Sequence, residues 1–335
     1  MANRDDVARR AGVSGATVSR VFNHPDRVET GTAELVRRVA SELGYRPDKN
    51  AGALRRRGTG VLIFLEYRKG GTYSWPDMRF FNWLYADILR AVVQAVSESS
   101  FRLEMRSIES LKHLRTLAGE CDGILAFNTE EREYASAVAG TGIPYVCAHH
   151  TETLTGFSRC STDNFAGGRL LGEAFYAAGY RNAVYVSGHL KEVEAHRQRL
   201  KGFREGFGGE VPLIETPVGI DGGMAAAGVI APEVRAGRID AVCGVNDLTA
   251  LGILRGLGEC NIRVPEECVV AGYDNLPVDL GLSRRIPSVD LRLGALYRRA
   301  VEGLVDFILR GRSLDFTLAP LLVPGPLLDP PESSS

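Results

Sequence analysis

The spacing of apolar residues changes character at Gly60. Before it they recur at helical intervals: Val7, Ala8 and Ala11, then Val13, Val18 and Val21, then Leu35, Val36, Val39 and Leu43. Gly12 interrupts the first run, where a tight turn suits a residue without a Cβ. Ser14 is placed to cap a second helix through its hydroxyl. That helix is predicted from Gly15 to about Phe22, stopping at Asn23-His24-Pro25. Asn3 is a cap candidate for the first helix, and Thr30 or Thr32 starts a third. Gly44 ends the third helix, and Tyr45-Arg46-Pro47 is extended because a residue before proline avoids the α region. Two short helices across a tight turn are the spacing of a helix-turn-helix, whose second helix enters the major groove of DNA. An ordinary corner between two helices of a globular domain has the same local pattern.

Beyond Gly60 short apolar runs alternate with longer periodic ones. Strands are predicted over 61–66 (VLIFLE), 101–107, 121–128, 143–149, 182–187, 211–217, 239–246 and 267–274. Helices are predicted over 80–96, between the strands at 121–128 and 143–149, and over 164–178, 192–206, 222–236 and 247–259. Alternation of this kind implies parallel sheets with right-handed crossovers. The strands divide near Thr162 into two similar α/β lobes. Ligands of such sheets bind outside the strands' carboxyl ends, which here means the cleft between the lobes. Between head and core lies Asp48–Arg57, DKNAGALRRR. It is either a basic linker or a short hinge helix that folds on DNA, with Leu54 as an apolar wedge for the minor groove and Arg55–Arg57 for phosphate.

Charge sharpens the division. Residues 1–60 carry twelve Lys and Arg against seven Asp and Glu, a net of +5, and the remaining 275 residues carry 28 against 34, a net of −6. A basic head on an acidic body fits a nucleic-acid-binding module joined to something else. The six cysteines (121, 147, 160, 243, 260 and 268) form no CxxC pair and several sit in apolar runs, as reduced buried thiols of a cytoplasmic protein would. The polar start from Asn3 does not read as a signal peptide, and no apolar run approaches the ~20 residues of a membrane span. The final PPESSS reads as disordered.

With these elements in place, the chain resembles the LacI/GalR family of transcriptional regulators along nearly all its length. The resemblance rests on VARRAGVSGATVSRVFN, on GYRPDKNAGAL as the hinge, and on four blocks in the family's order: IPYV…STDNFAGGRLLGEAFYAAGYRNAVYVSG, RLKGF, VNDLTALGILRGL and RVPEECVVAGYDN. It implies a helix-turn-helix head over 1–46, a hinge over 47–59 and a periplasmic-binding-protein-like core of two doubly wound lobes over 60–335. Lobe 1 would comprise about 60–161 plus 291–319, and lobe 2 about 162–290 plus 320–330. It also implies a homodimer on an inverted-repeat DNA operator, most often as a repressor. A small molecule in the cleft, a sugar or sugar derivative by family habit, would shift the lobes and thereby operator affinity. No cofactor and no metal are expected.

Carried over by position, Gly15, Ala16 and Arg20 fall where the family reads bases; Arg20 can bond a guanine bidentately and Ala16 offers only an apolar contact. Thr17, Ser19 and Asn23 suit phosphate. In the hinge, Leu54 matches the intercalating leucine, with Asn50 and Arg55 beside it, and Gly52 stands where many members carry a larger residue. In the cleft, Arg199, Asn246 and Asp274 match effector-holding positions, and their planar, multidentate groups fit a polyol. Asn246 and Asp274 also have the placing of residues that cap or cross-link strand ends. His149 beside Arg199 would favour an acidic or phosphorylated ligand, unless the histidine is satisfied within the protein. The long segment Tyr67–Trp83 is rich in aromatics: Trp75, Phe80, Phe81 and Trp83 either stack on a sugar ring or seal the lobe. Trp83 and Tyr85 complete the effector candidates.

Two rival classes fit the chain less well. An enzyme reading finds no GxGxxG after a strand, no P-loop, no GxSxG and no metal-ligand spacing around His149-His150. A free solute-binding protein shares the core fold but calls for a signal peptide and no basic head. LLVPGPLLDPP after Pro320 cannot be helical, so a dimer is expected without a C-terminal coiled coil.

Overall fold

The computed structural model describes residues 4–23, 28–45, 58–68, 82–149, 151–188, 190–191, 193–276 and 286–325, without the side chains of Asn23, Asn82 and Trp83. The chain divides into two compact units, up to Gly60 and from Val61 onward.

The first unit holds α1 (Arg4–Ala11), α2 (Gly15–Asn23) and α3 (Thr30–Glu42). Gly12 takes φ +67° in the turn, and the Val13 amide donates to the Ala8 carbonyl at 3.0 Å. Ser14 caps α2: its Oγ accepts from the Thr17 amide at 3.1 Å. Val7, Ala11, Val18, Val21, Val36 and Val39 form the buried centre, and Leu35 and Leu43 pack at its edge. The small core closes because small and β-branched residues let three short helices approach.

The second unit contains two parallel sheets. The first uses β1 (Val61–Tyr67), β2 (Arg102–Ile108), β3 (Gly123–Phe127), β4 (Tyr145–Ala148), β5 (Arg159–Thr162) and β11 (Asp315–Leu318), in the order β11-β5-β4-β3-β1-β2. The strand period of two sends Leu62 and Phe64 to one face and Val61, Ile63 and Leu65 to the other. The first face is covered by α4 (Asn82–Ser97) and α10 (Leu293–Arg310), and the second by α5 (Arg132–Ala139) and a 3₁₀ helix at Leu111–Leu117. Strands buried on both sides explain the unbroken apolar run of VLIFL.

The second sheet orders β7 (Leu213–Glu215), β6 (Ala183–Ser187), β8 (Ala241–Gly244) and β9 (Val269–Ala271), all parallel. On one face lie α6 (Asn164–Ala177) and α7 (Glu194–Phe207); on the other, α8 (Ile220–Arg235) and α9 (Asp247–Glu259). Two glycine-lined helix pairs pack backbone to backbone. A Cβ on Gly202 would stand 2.0 Å from the Phe165 carbonyl oxygen, and one on Gly168 would stand 2.1 Å from that of Arg199. A short antiparallel pair, β10 (Ser288–Asp290) with β12 (Leu321–Val323), completes the fold.

The eight expected strands and the expected core helices all occur, with ends moved by up to three residues. The sequence pattern did not disclose β5, β10, β11, β12 or the 18-residue α10. Among the described residues no helix is long and apolar enough to cross a membrane.

Candidate DNA interface and effector cleft

The amphipathic pattern of α2 decides which of its residues face out. Val18 and Val21 point into the head core, leaving Ala16 and Arg20, four residues apart, exposed on the opposite side. Gly15, Thr17 and Ser19 flank them, half-buried. A Cβ on Gly15 would stand 2.9 Å from Arg4 Nε, so the absent side chain makes room for that guanidinium. The outward face of α2 thus offers one long cation and a short apolar step. Asn50, Leu54 and Arg55 lie outside the described residues, as do Trp75, Phe80 and Phe81 and the side chains of Asn23 and Trp83.

In the core, the residues just past the strands' carboxyl ends gather polar groups. Arg199, on α7, is 3% exposed. Each of its guanidinium nitrogens has a protein acceptor: Nε bonds Asn164 Oδ1 at 2.8 Å, Nη1 the Val245 carbonyl at 2.9 Å, and Nη2 pairs with Asp274 Oδ1 at 3.3 Å. The guanidinium carbon lies 3.9 Å from the Tyr273 ring centroid. The close approach of Gly168 to the Arg199 carbonyl and of Gly202 to the Phe165 carbonyl sets this geometry, because it seats α7 against the first turn of α6, which carries Asn164.

Asp274 follows β9 at φ +100°. Burial pushes its carboxyl up to about 6, opposed by the Arg199 charge and hydrogen bond. It is therefore largely ionised at neutral pH. Asn246 caps α9, its Oδ1 accepting from the Thr249 amide at 2.9 Å and the Thr249 hydroxyl at 2.8 Å. Asp247 is pushed up to about 7, first by burial and next by Asp274, while the Leu276 amide and Ser288 hydroxyl donate to it.

The first lobe contributes His149, Glu152, Glu66 and Tyr85. His149 is buried at φ +66°, edge-on to Tyr297 with centroids 6.4 Å apart. Burial, reinforced by the Arg199 charge, lowers it to about 3, so it is a neutral imidazole. Tyr85 packs on Phe64 and Phe127, and burial together with Glu66 raises its hydroxyl to about 12. Glu152 accepts from Asn164 Nδ2 through Oε1. Its Oε2, Glu66 Oε1 and Thr151 Oγ1 are buried with no hydrogen-bond partner among the described residues. The structure thus brings Arg199 and Asp274 into contact, with Asn246 one residue beyond the Val245 carbonyl that Arg199 holds. His149 is near enough to feel the Arg199 charge, and Tyr85 is linked to it through Tyr297 and then Phe64 and Phe127. Asn164, Glu152, Asp247 and Glu66 were not evident from the sequence. The signal available was the end of a predicted strand, which Glu66 forms and Asp247 follows; Asn164 opens a predicted helix, and Glu152 lies three residues past the strand predicted over 143–149.

Comparison with known proteins bears on both units. Residues 5–48 match the model for bacterial regulatory proteins of the lacI family, and residues 173–324 match a periplasmic-binding-protein-like domain. The HTH-type transcriptional regulator CelR of Thermobifida fusca is 31% identical over 318 residues, covering 90% of each chain. The chain belongs to the LacI family. Another relative is the ribose operon repressor of Haemophilus influenzae, 25% identical over 92% of each chain. Among solved structures, a transcriptional regulator CelR–cellobiose complex superimposes with a TM-score of 0.65 at 28% identity, covering 96% of this chain and 98% of the other. As a LacI-family protein the chain is a DNA-binding transcriptional regulator with an effector-binding core.

Proposed function

We propose that this regulator is a repressor that binds an inverted-repeat operator as a homodimer and is controlled by a neutral sugar or sugar derivative held between the lobes. The observation that carries the effector class is the balance of donors and acceptors in the cleft. Each guanidinium nitrogen of the cation Arg199 already has one protein acceptor, and His149 is neutral. Glu66 Oε1 and Glu152 Oε2, by contrast, are buried with no donor among the described residues. Buried acceptors without partners call for a ligand rich in hydroxyl donors and without negative charge. An acidic or phosphorylated ligand, which His149 and Arg199 together would favour, would compete with Asp274 for Arg199 and meet a neutral His149. The names of two relatives point the same way, one complexed with cellobiose and one a ribose operon repressor.

In this reading α2 enters the major groove with Arg20 on a guanine, Ala16 against a base methyl, Gly15 permitting close approach, and Thr17, Ser19 and Asn23 on phosphate. Asn50, Leu54 and Arg55 act in the hinge over 47–59. Arg199, Asn246, Asp274, His149, Tyr85 and Trp83 surround the effector. The homodimer reading is supported by exposed apolar side chains at Val93 of α4 and Met105 of the edge strand β2. The test is a thermal-shift screen of the full chain against neutral sugars, sugar phosphates and sugar acids. A neutral sugar at a hundredfold excess over Kd should add roughly 2.7 kcal/mol of stability. A response confined to sugar phosphates would overturn the effector class.

A further inference from the structure

The two lobes touch at a hydrogen bond with an unusual division of labour. Helix α7, which carries Arg199, has no N-terminal cap of its own. Val193 precedes it, and its side chain has no acceptor. The orphan amide at the head of the helix, that of Glu194, instead donates to Oε1 of Glu130 at 2.9 Å. Glu130 belongs to the other lobe, in the loop between β3 and α5. That loop is held by Thr129, which is fully buried, with its hydroxyl donating to the Ala126 carbonyl at 3.0 Å and its amide to the Ala148 carbonyl at 3.3 Å. An anionic oxygen on a rigid support therefore sits at the positive end of a helix dipole borne by the opposite lobe.

We propose that Glu130 is a positioning residue that clasps the two lobes: its carboxylate, carried by the first lobe, supplies the missing N-terminal cap of α7, the helix that places Arg199 in the second. Separation of the lobes leaves α7 uncapped, so the contact favours the closed arrangement and couples the cleft's width to the state of the helix that lines it. Glu152 of the first lobe and Glu194 and Arg197 of α7 surround the clasp, with Glu131 next in the chain. Arg197 also ties the preceding segment to the helix through the carbonyls of Leu190 and Lys191. The inference depends on the cleft reading only for its consequence in effector response; the clasp itself is read without a ligand.

The test is the interlobe distance in the full chain without added sugar, by pulsed electron spin resonance between labels at the exposed positions Glu133 of α5 and Glu205 of α7. Glu130→Ala removes the acceptor. Glu194→Pro removes the donor while placing proline at the first helical position, where it is tolerated; it also removes the Glu194 carboxylate bonded to Arg197 and Gln198, so its effect is read against Glu194→Ala, which loses the carboxylate but keeps the amide. Glu130→Ala and Glu194→Pro should each raise the population of longer distances about tenfold, the scale of one lost cap. Measured on a Glu194→Ala background, the double variant should go no further than either single one, because both then delete the same bond, and the neighbouring Glu131→Ala should match the wild type. An unchanged distribution in Glu130→Ala, or additive effects of the two substitutions, would overturn the clasp. Thermal melts of the same samples separate this from general damage: an opened but equally stable Glu130→Ala protein supports the clasp, and a distance change seen only with loss of folding contradicts it. A negative sugar screen would leave this result standing, so the two readings fail separately.

Discussion

Arg199 is the side chain on which the cleft's electrostatics depend. It is a buried cation held by one carboxylate, one carboxamide and one carbonyl. Its removal strands Asp274, so Arg199→Ala should cost about 3–5 kcal/mol in urea denaturation, as well as any effector response. Asp247 supplies a second prediction. Burial holds it at about 7 in the folded protein, against about 3.9 in an unfolded chain. An acid whose folded value is raised binds its proton more readily when folded. Its contribution to stability therefore grows as pH falls through 7 and is complete below the unfolded value. Denaturant midpoints measured from pH 8 to pH 5 should show this gain in the wild type and a smaller one in Asp247→Asn. At this scale the sequence disclosed identities better than partners. Arg199 and Asp274, which meet in the structure, were singled out as candidates through block similarity, whereas their neighbour Asn164, 35 residues from Arg199, was not. No local pattern records which side chain will meet a guanidinium across two helices.

Among the elements, α2 and the α6–α7 pair carry the candidate DNA-reading and effector-holding residues. The head was legible because its determinants are local: Gly12 turns, Ser14 caps and the valines repeat at helical spacing. Ser14→Ala should lower the head's stability by roughly 1 kcal/mol, read from the melting of its helices by circular dichroism. In the core, Gly202→Ala would force a methyl group into the Phe165 carbonyl and push α7 away from α6. The expected cost is about 1–3 kcal/mol in denaturant unfolding, accompanied by weaker effector binding because Arg199 moves with its helix. The elements that the sequence pattern missed were of another kind. β5, β10, β11 and β12 are only three or four residues long, and each pairs with a partner far along the chain or crosses between the lobes. Their strand character comes from tertiary pairing and leaves little local period to read.

As a whole molecule, the chain joins a basic DNA-reading head to an acidic two-lobed core, and charge and apolar period alone were enough to show that division. What the period could not convey was the donor–acceptor balance of the cleft, which depends on burial and on which groups already have partners. The central claim is that filling the cleft with a neutral sugar changes DNA affinity. The most direct measurement is fluorescence anisotropy of the full chain on its operator, isolated from a random DNA library, with and without a panel of neutral sugars and sugar phosphates. The account predicts that at least one neutral sugar changes operator affinity tenfold or more, about 1.4 kcal/mol of coupling, and that Asp274→Ala abolishes the change while Arg20→Ala abolishes specific binding itself. Operator affinity that no neutral sugar alters, but that a sugar phosphate does, would contradict it.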